Sequence, residues 1–327
     1  MNQATQDTEL QAQLARIAPL RAAIGQAIVG QQDVVEQLLI GLLAGGHCLL
    51  EGVPGLGKTL LVRSLGEALH LQFRRVQFTP DLMPSDILGT ELLEEDHGTG
   101  HRHFRFQQGP IFTHLLLADE LNRTPPTTQA ALLEAMQERT VSYAGTTYAL
   151  PSPFFVLATQ NPLEQAGTYP LPEAQLDRFL FKIKLDYPTL DEETMILTRY
   201  KEQIKAPDLA SIVAIFTADE LRKVQSVVEK IIIEDRLIQY IAQIVNKTRN
   251  HSKIYLGGSP RASLSILKAA KAFAAIRGRD FVTPDDIQFV TVPVLNHRLI
   301  LTPEAEMEGT QMEEVIREIV QTIEVPR

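Results

Sequence analysis

The 327-residue chain has a single cysteine, Cys48, which rules out an internal disulfide and suits a reducing compartment. No apolar run reaches the ~18–20 residues that a membrane span requires. The stretch from Leu38 to Leu50 is broken by Gly41, Gly45, Gly46 and His47. Basic residues are in the minority, 31 Lys and Arg against 40 Asp and Glu. The formal charge of −9 argues against a nucleic-acid binder working by bulk attraction, leaving room only for a local basic stripe. Met1 to Glu9 is polar and mildly acidic, unlike a signal peptide. There is no internal repeat and no low-complexity tract. These absences lead to the expectation of a soluble, cytoplasmic protein without membrane insertion. Hydrophobic content of 44% and charged content of 22% supply an ordinary globular core, and the length predicts two domains.

What is present begins with Gly52-Val53-Pro54-Gly55-Leu56-Gly57-Lys58-Thr59, which fits Gly, any four residues, Gly, Lys, then Ser or Thr. Glycines let consecutive backbone N–H groups point at phosphate oxygens. Lys58 brings a positive charge to the β and γ phosphates, and the Thr59 hydroxyl suits a Mg²⁺ ion. The apolar run His47 to Glu51 reads as a buried strand before the loop. Leu60, Leu61, Leu65, Ala68 and Leu69 give a helix after it, whose dipole favours the same anion. This strand–loop–helix order predicts nucleoside triphosphate binding through Gly52, Pro54, Gly55, Leu56, Gly57, Lys58, Thr59 and Leu60. Upstream, residues 10–27 have helical period. The turn Ile28-Val29-Gly30-Gln31 then leads into a helix from about Asp33 to Leu43; Val29 and Gly30 either wall a base pocket or merely connect two helices.

Ile111 to Ala118 reads as a second buried strand, ending in Asp119-Glu120. A carboxylate at such a strand end can hold the Mg²⁺ hydration shell, and a second can deprotonate water. The strand Phe154 to Ala158 delivers Thr159-Gln160-Asn161-Pro162, where Asn161 either holds an attacking water or belongs to a simple turn. Two hairpins are expected. One spans residues 86–109 with its tip at Asp96 to Gly100, and the other spans about 140–150 around Ala144-Gly145. His97, His101 and His103 lie on the first, but no Cys or carboxylate completes a metal-ligand set at a suitable spacing. Beyond Pro188 nearly every segment is helical. Thr189 with Glu192, Thr217 with Glu220 and Thr310 with Glu313 read as capping boxes, and Ser259-Pro260 and Thr283-Pro284 as helix starts. The domains expected are an N-terminal helical segment at 1–27, an α/β P-loop core at 28–188 and a helical domain at 189–327.

Taken together, the P-loop, Leu115 to Arg123, Ala158 to Pro162, Leu176-Asp177-Arg178-Phe179 and Gly258-Ser259-Pro260-Arg261 resemble an AAA+ ATPase of the MoxR family, in order over residues 28–261. The resemblance implies a parallel sheet between helices followed by an all-α lid. It implies ATP and Mg²⁺ as cofactors, with Thr59 and Asp119 on the metal, partly through water. Glu120 would activate water, Asn161 would be sensor 1 and Arg261 sensor 2. Arg178 would be the arginine finger reaching a neighbouring subunit's nucleotide, with Arg123 as the rival candidate. The two hairpins resemble the helix-2 insert and the pre-sensor-1 hairpin, facing the pore of a homo-oligomeric ring, expected as a hexamer. The implied function is ATP-driven remodelling or maturation of a protein client together with a von Willebrand A domain protein. A chelatase-type motor shares the whole core. A nucleic-acid motor fits less well, since the tip Asp96 to Gly100 and the segment Ala144-Gly145-Thr146 are not basic.

Overall fold

The computed structural model describes residues 12, 14–53, 55–95, 102–162, 167–201 and 214–326. Helices α1 (Ile17–Ala27) and α2 (Gln32–Leu43) lead into β1 (Cys48–Glu51), α3 (Lys58–Ala68) and β2 (Phe73–Gln77). A short α4 (Pro84–Leu88) precedes an antiparallel pair, β3 (Gly89–Glu95) and β4 (Arg102–Gln108). Then come β5 (Leu115–Asp119), α5 (Pro126–Glu138), the hairpin β6 (Thr140–Tyr143) and β7 (Thr146–Ala149), β8 (Phe155–Gln160), α6 (Glu173–Leu176) and β9 (Phe181–Lys184). The main sheet is parallel throughout, in the order β2-β5-β8-β1-β9.

A parallel sheet covered on both faces needs strands that are apolar along their whole length. Leu115-Leu116-Leu117-Ala118 and Val156-Leu157-Ala158 meet that demand, and the period of two sorts them. Leu50, Leu115, Leu117 and Leu157 join one core with α1, α2 and α3. Leu49, Leu116, Ala118, Val156 and Ala158 join the other, with Leu132 and Met136 of α5. Cys48 is buried in β1, and desolvation pushes its thiol pKa up.

The C-terminal part comprises α7 (Leu190–Tyr200), α8 (Ala218–Glu229), α9 (Asp235–Arg249), α10 (Pro260–Ile276), α11 (Pro284–Leu295), α12 (Pro303–Met307) and α13 (Met312–Gln321). Small residues on α10, among them Ala262, Ala269, Ala270 and Ala274, are wholly buried and continue the first core across to the sheet.

Several local expectations change. The lid is not purely helical: β10 (Ile254–Leu256) and β11 (Ile300–Leu301) form a small antiparallel ladder. Residues 86–88 belong to α4, with Pro84 at its first turn and Asp86 Oδ2 accepting the Met83 N–H at 2.8 Å, so the first hairpin begins at Gly89. Its tip, with His97 and His101, lies outside the described residues; His103 faces Glu94 at 3.7 Å. Residues 111–114 form a turn, so β5 starts at Leu115. Thr189 and Thr217 do cap their helices with Glu192 and Glu220. Thr310 does not, because α13 begins one residue later with Gln311 at the N-cap and Glu313 engages Lys184 at 2.5 Å.

Candidate active site

In a parallel sheet the carboxyl ends of all strands share one edge, and there the chain leaves the sheet into loops. Register places Glu51 beside Gln160, and Gln77 beside Asp119. Gly52, Glu120 and Asn161 therefore emerge together. Gly55 and Gly57 adopt φ of +90° and +77°, left-handed values that a side chain would strain, and α3 begins directly at Lys58. Pro54 lies outside the described residues. Lys58 Nζ donates to the carbonyls of Gly52 and Gln160, folding back into the loop. Burial lowers its pKa, while Asp119, Glu120 and Glu51 act in the opposite sense, so the ammonium sits among three carboxylates.

The acid pair is held by groups that carried no role in the sequence reading. Thr159, at 1% exposure, donates from Oγ1 to Asp119 Oδ1 at 2.6 Å and accepts the Glu120 N–H at 2.9 Å. Arg75 of β2 donates to Asp119 Oδ2 from Nη2 at 2.6 Å, and Gln77 Nε2 donates to Glu120 Oε2 at 2.5 Å. The period of two on β2 puts Arg75 and Gln77 on one face, next to both acids. Glu120 itself has φ 58° and ψ 47°, a left-handed backbone that costs about 1–2 kcal/mol. That conformation swings its side chain off the strand line toward Gln77 and toward Arg123, whose Nε lies 3.2 Å from Oε2. Arg123 thus contacts its own chain's acid. Asn161 is buried, with its carbonyl 3.5 Å from Asn122 Nδ2.

Val29 and Gly30 line a cavity of about 560 Å³ whose other walls include Ile17, Ala22, Met195 and Arg199. Gly30 has φ +68°, and a Cβ there would come within 2.2 Å of Glu192 Oε1. The turn is joined to the P-loop by Gln31 Nε2, which donates to the Leu56 carbonyl at 3.2 Å.

Arg178 and Arg261 are elsewhere. Arg178 precedes β9, whereas the P-loop follows β1, and these strands run parallel in register. The four residues of β9 alone set the two ends roughly 13 Å apart. At that far end a cavity of about 250 Å³ is lined by His47, Asp177, Arg178, Arg261 and Lys268. Arg178 Nε is buried there without a hydrogen-bond partner among the described residues, and Arg261 lies 3.8 Å from Asp177. The tertiary structure groups Arg261 with Arg178, not with Lys58. His47 stays neutral: burial lowers its pKa to about 4, Nε2 donates to the Met136 carbonyl and Nδ1 accepts the Val156 N–H.

The oxygen donors of Thr59 and Asp119 beside a strand-end loop are the hard ligands that Mg²⁺ takes when substrate phosphates supply the rest. Among the described residues no cluster of three or more His, Cys, Asp or Glu offers an all-protein metal site. No helix there is long and apolar enough to cross a membrane.

Comparison with known proteins bears on this arrangement. Residues 47–181 match the family described as ATPase family associated with various cellular activities (AAA), and residues 246–319 match the AAA lid domain. YeaC of Bacillus subtilis, itself uncharacterized, is 46% identical over 93% of this chain and 92% of its own length. The chaperone MoxR1 of Mycobacterium tuberculosis is 44% identical over 93% of this chain and 81% of its own. A crystal structure from Cytophaga hutchinsonii superposes with a TM-score of 0.90 at 39% identity, covering 99% of both chains. Likeness of this depth, running through both the sheet and the lid, makes the chain a member of the MoxR family of AAA+ ATPases.

Proposed function

We propose that the protein hydrolyses ATP in a homo-oligomeric ring, a hexamer, in which each nucleotide lies between two subunits. The observation that carries this is the separation of Arg178 and Arg261 from the chain's own P-loop by the length of the sheet. Positive charge on the developing γ-phosphoryl group accelerates hydrolysis by ~10³–10⁵, and only another copy can bring these arginines to Lys58. Within one chain, the P-loop N–H groups and Lys58 hold the phosphates, and the Val29-Gly30 cavity takes the base. Asn161 orients water and Glu120 accepts its proton as the water oxygen attacks the γ-phosphorus. The bond to the β–γ bridging oxygen breaks, leaving ADP and phosphate. Thr59 and Asp119 would hold Mg²⁺, which neutralises phosphate charge when bound. We assign the trans role to Arg178 over Arg123, since Arg123 already engages Glu120 of its own chain.

The output is remodelling or maturation of a protein client, with a von Willebrand A domain partner and the hairpins β3–β4 and β6–β7 as the contact elements. Support for a protein client comes from the first hairpin, where Leu93 and Phe104 are exposed side by side. Among the described residues its basic side chains face acids of the same hairpin, Arg102 with Glu95 and Arg105 and His103 with Glu94, which leaves little net charge there for a nucleic-acid backbone.

Two inactive proteins test the shared site. Lys58→Ala cannot hold nucleotide but still donates Arg178; Arg178→Ala does the reverse. Mixed, they should recover phosphate release well above either alone, and absence of recovery in mixed rings refutes the trans assignment. Glu120→Gln with ATP should hold the client-bound state, so affinity capture reads the partner class: a von Willebrand A protein supports the reading, and nucleic acid overturns it.

A further inference from the structure

The turn bearing Arg178 is gripped from two sides. Its N–H groups face the core: Arg178 N–H donates to the Gln175 carbonyl at 3.2 Å, Phe179 N–H to Leu176 at 3.0 Å and Leu180 N–H to His47 at 2.7 Å. Its carbonyls face the lid, where three consecutive residues after α11 collect them. Asn296 Nδ2 donates to the Lys182 carbonyl at 3.4 Å and His297 Nε2 to Phe179 at 3.1 Å. Arg298, only 7% exposed, uses all three guanidinium nitrogens. Nε donates to Asp177 Oδ1 at 2.8 Å, Nη1 to the carbonyls of Leu180 (3.1 Å) and Val294, and Nη2 to the carbonyls of Phe179 (2.6 Å) and Asp177 (3.3 Å) and to Ser265 Oγ (3.3 Å). The planar fork thus ties α10 and α11 to both sides of Arg178 in the chain, while Asp177 also faces Arg261.

We propose that Arg298 is a positioning residue for Arg178: it fixes where that arginine stands for the neighbouring subunit and makes its place follow the lid. The inference rests on the trans role given to Arg178 above. Arg298 touches no nucleotide-binding residue of its own P-loop, so its loss should act on the neighbour's reaction and spare the chain's own nucleotide affinity. A flexible lysine keeps the charge but cannot span four carbonyls and a carboxylate at once.

The test measures steady-state phosphate release by Arg298→Lys, after thermal unfolding and size-exclusion show folded, assembled protein. A displacement on the order of 1 Å at a reacting site costs ~10²-fold, so kcat should fall by about that factor, with KM for ATP within about threefold. Mixing then locates the defect. Lys58→Ala subunits carry intact Arg178 and Arg298 and should restore turnover to Arg298→Lys partners. Arg178→Ala subunits should not, because neither partner then offers a correctly placed arginine. An unchanged kcat, failure of Lys58→Ala to rescue while Arg178→Ala is rescued by it, or rescue by Arg178→Ala would each overturn the proposal. If Arg178→Ala is itself not rescued by Lys58→Ala, the trans role fails first and this one with it. Should Arg298→Lys not assemble, Asp177→Asn goes through the same mixing with the same outcomes deciding; it removes the carboxylate charge that Arg298 Nε faces and leaves the carbonyl contacts.

Discussion

Replacing Thr159 with valine keeps the shape of a side chain that is 1% exposed and deletes one hydroxyl. That hydroxyl makes two bonds, one to the Asp119 carboxylate at 2.6 Å and one from the Glu120 N–H at 2.9 Å. A hydrogen bond to a charged acceptor contributes about 1.5–3 kcal/mol, and a buried N–H left without a partner costs about 1–3 kcal/mol. Because both terms share one atom, roughly 2–4 kcal/mol is the reasonable sum. At about 2–4 °C per kcal/mol for a chain of this order, melting should fall by roughly 5–15 °C. Function should suffer in parallel. Glu120 holds a left-handed backbone with this bond as one restraint, and loss of a group that orients metal-binding or catalytic residues typically costs ~10–100-fold. The assay pairs thermal unfolding without nucleotide with phosphate release over a Mg²⁺ titration, and Thr159→Ser, which keeps the hydroxyl, should behave close to the parent in both. A valine variant melting within about 2 °C of the parent, with unchanged kcat and Mg²⁺ dependence, would refute the reasoning.

Three further expectations follow from other contacts. His47 is held neutral with a pKa of about 4 in the fold against an ordinary 6.5, so the unfolded chain binds the extra proton between those values. Stability should be full above pH 6.5 and drop on the order of 3 kcal/mol as pH falls toward 4; His297, also lowered by burial, acts in the same sense. Denaturant midpoints across that window should fall less steeply in His47→Gln, and an identical slope would count against the assignment. Phe106 of β4 stacks on Tyr148 at 4.4 Å and also meets Tyr143 at 5.3 Å, joining the two hairpins. At about 0.5–1.5 kcal/mol per aromatic pair, Phe106→Ala should speed limited proteolysis of the first hairpin several-fold with little change in overall melting, and an unaltered cleavage rate would show that the hairpins are not clasped there. Gly30→Ala places a methyl against Glu192 in a left-handed turn, so nucleotide affinity measured by fluorescence titration should weaken by at least ~10-fold if that turn borders the base, and stay level if it does not.

Some of this could be read directly along the chain. The phosphate loop, the apolar strands β1, β5 and β8 and the acids at Asp119-Glu120 are contiguous patterns, because backbone geometry and the period of two act between near neighbours. The same holds for the caps at Thr189 and Thr217, where donor and acceptor lie three residues apart. Thr310 and Glu313 have that spacing too, but Glu313 is taken by Lys184, 129 residues away, and the helix starts elsewhere. Propensity proposes a cap, and a long-range partner can claim it.

The sequence by itself determined a glycine-rich phosphate-loop pattern between a strand and a helix and two adjacent carboxylates at the end of an apolar strand, since each of those features is local. The tertiary structure alone decided which arginines belong with the chain's own phosphate loop. Arg123 is drawn to Glu120, while Arg178 and Arg261 are carried to the far end of the sheet. It also brought in Arg75, Gln77 and Thr159 to hold the acids and Arg298 to hold the Arg178 turn, through side chains that meet across 39 or more residues. The reason is physical: strand order and register place groups within 3 Å of each other that share no spacing along the chain, and hydrogen bonds form by distance in space.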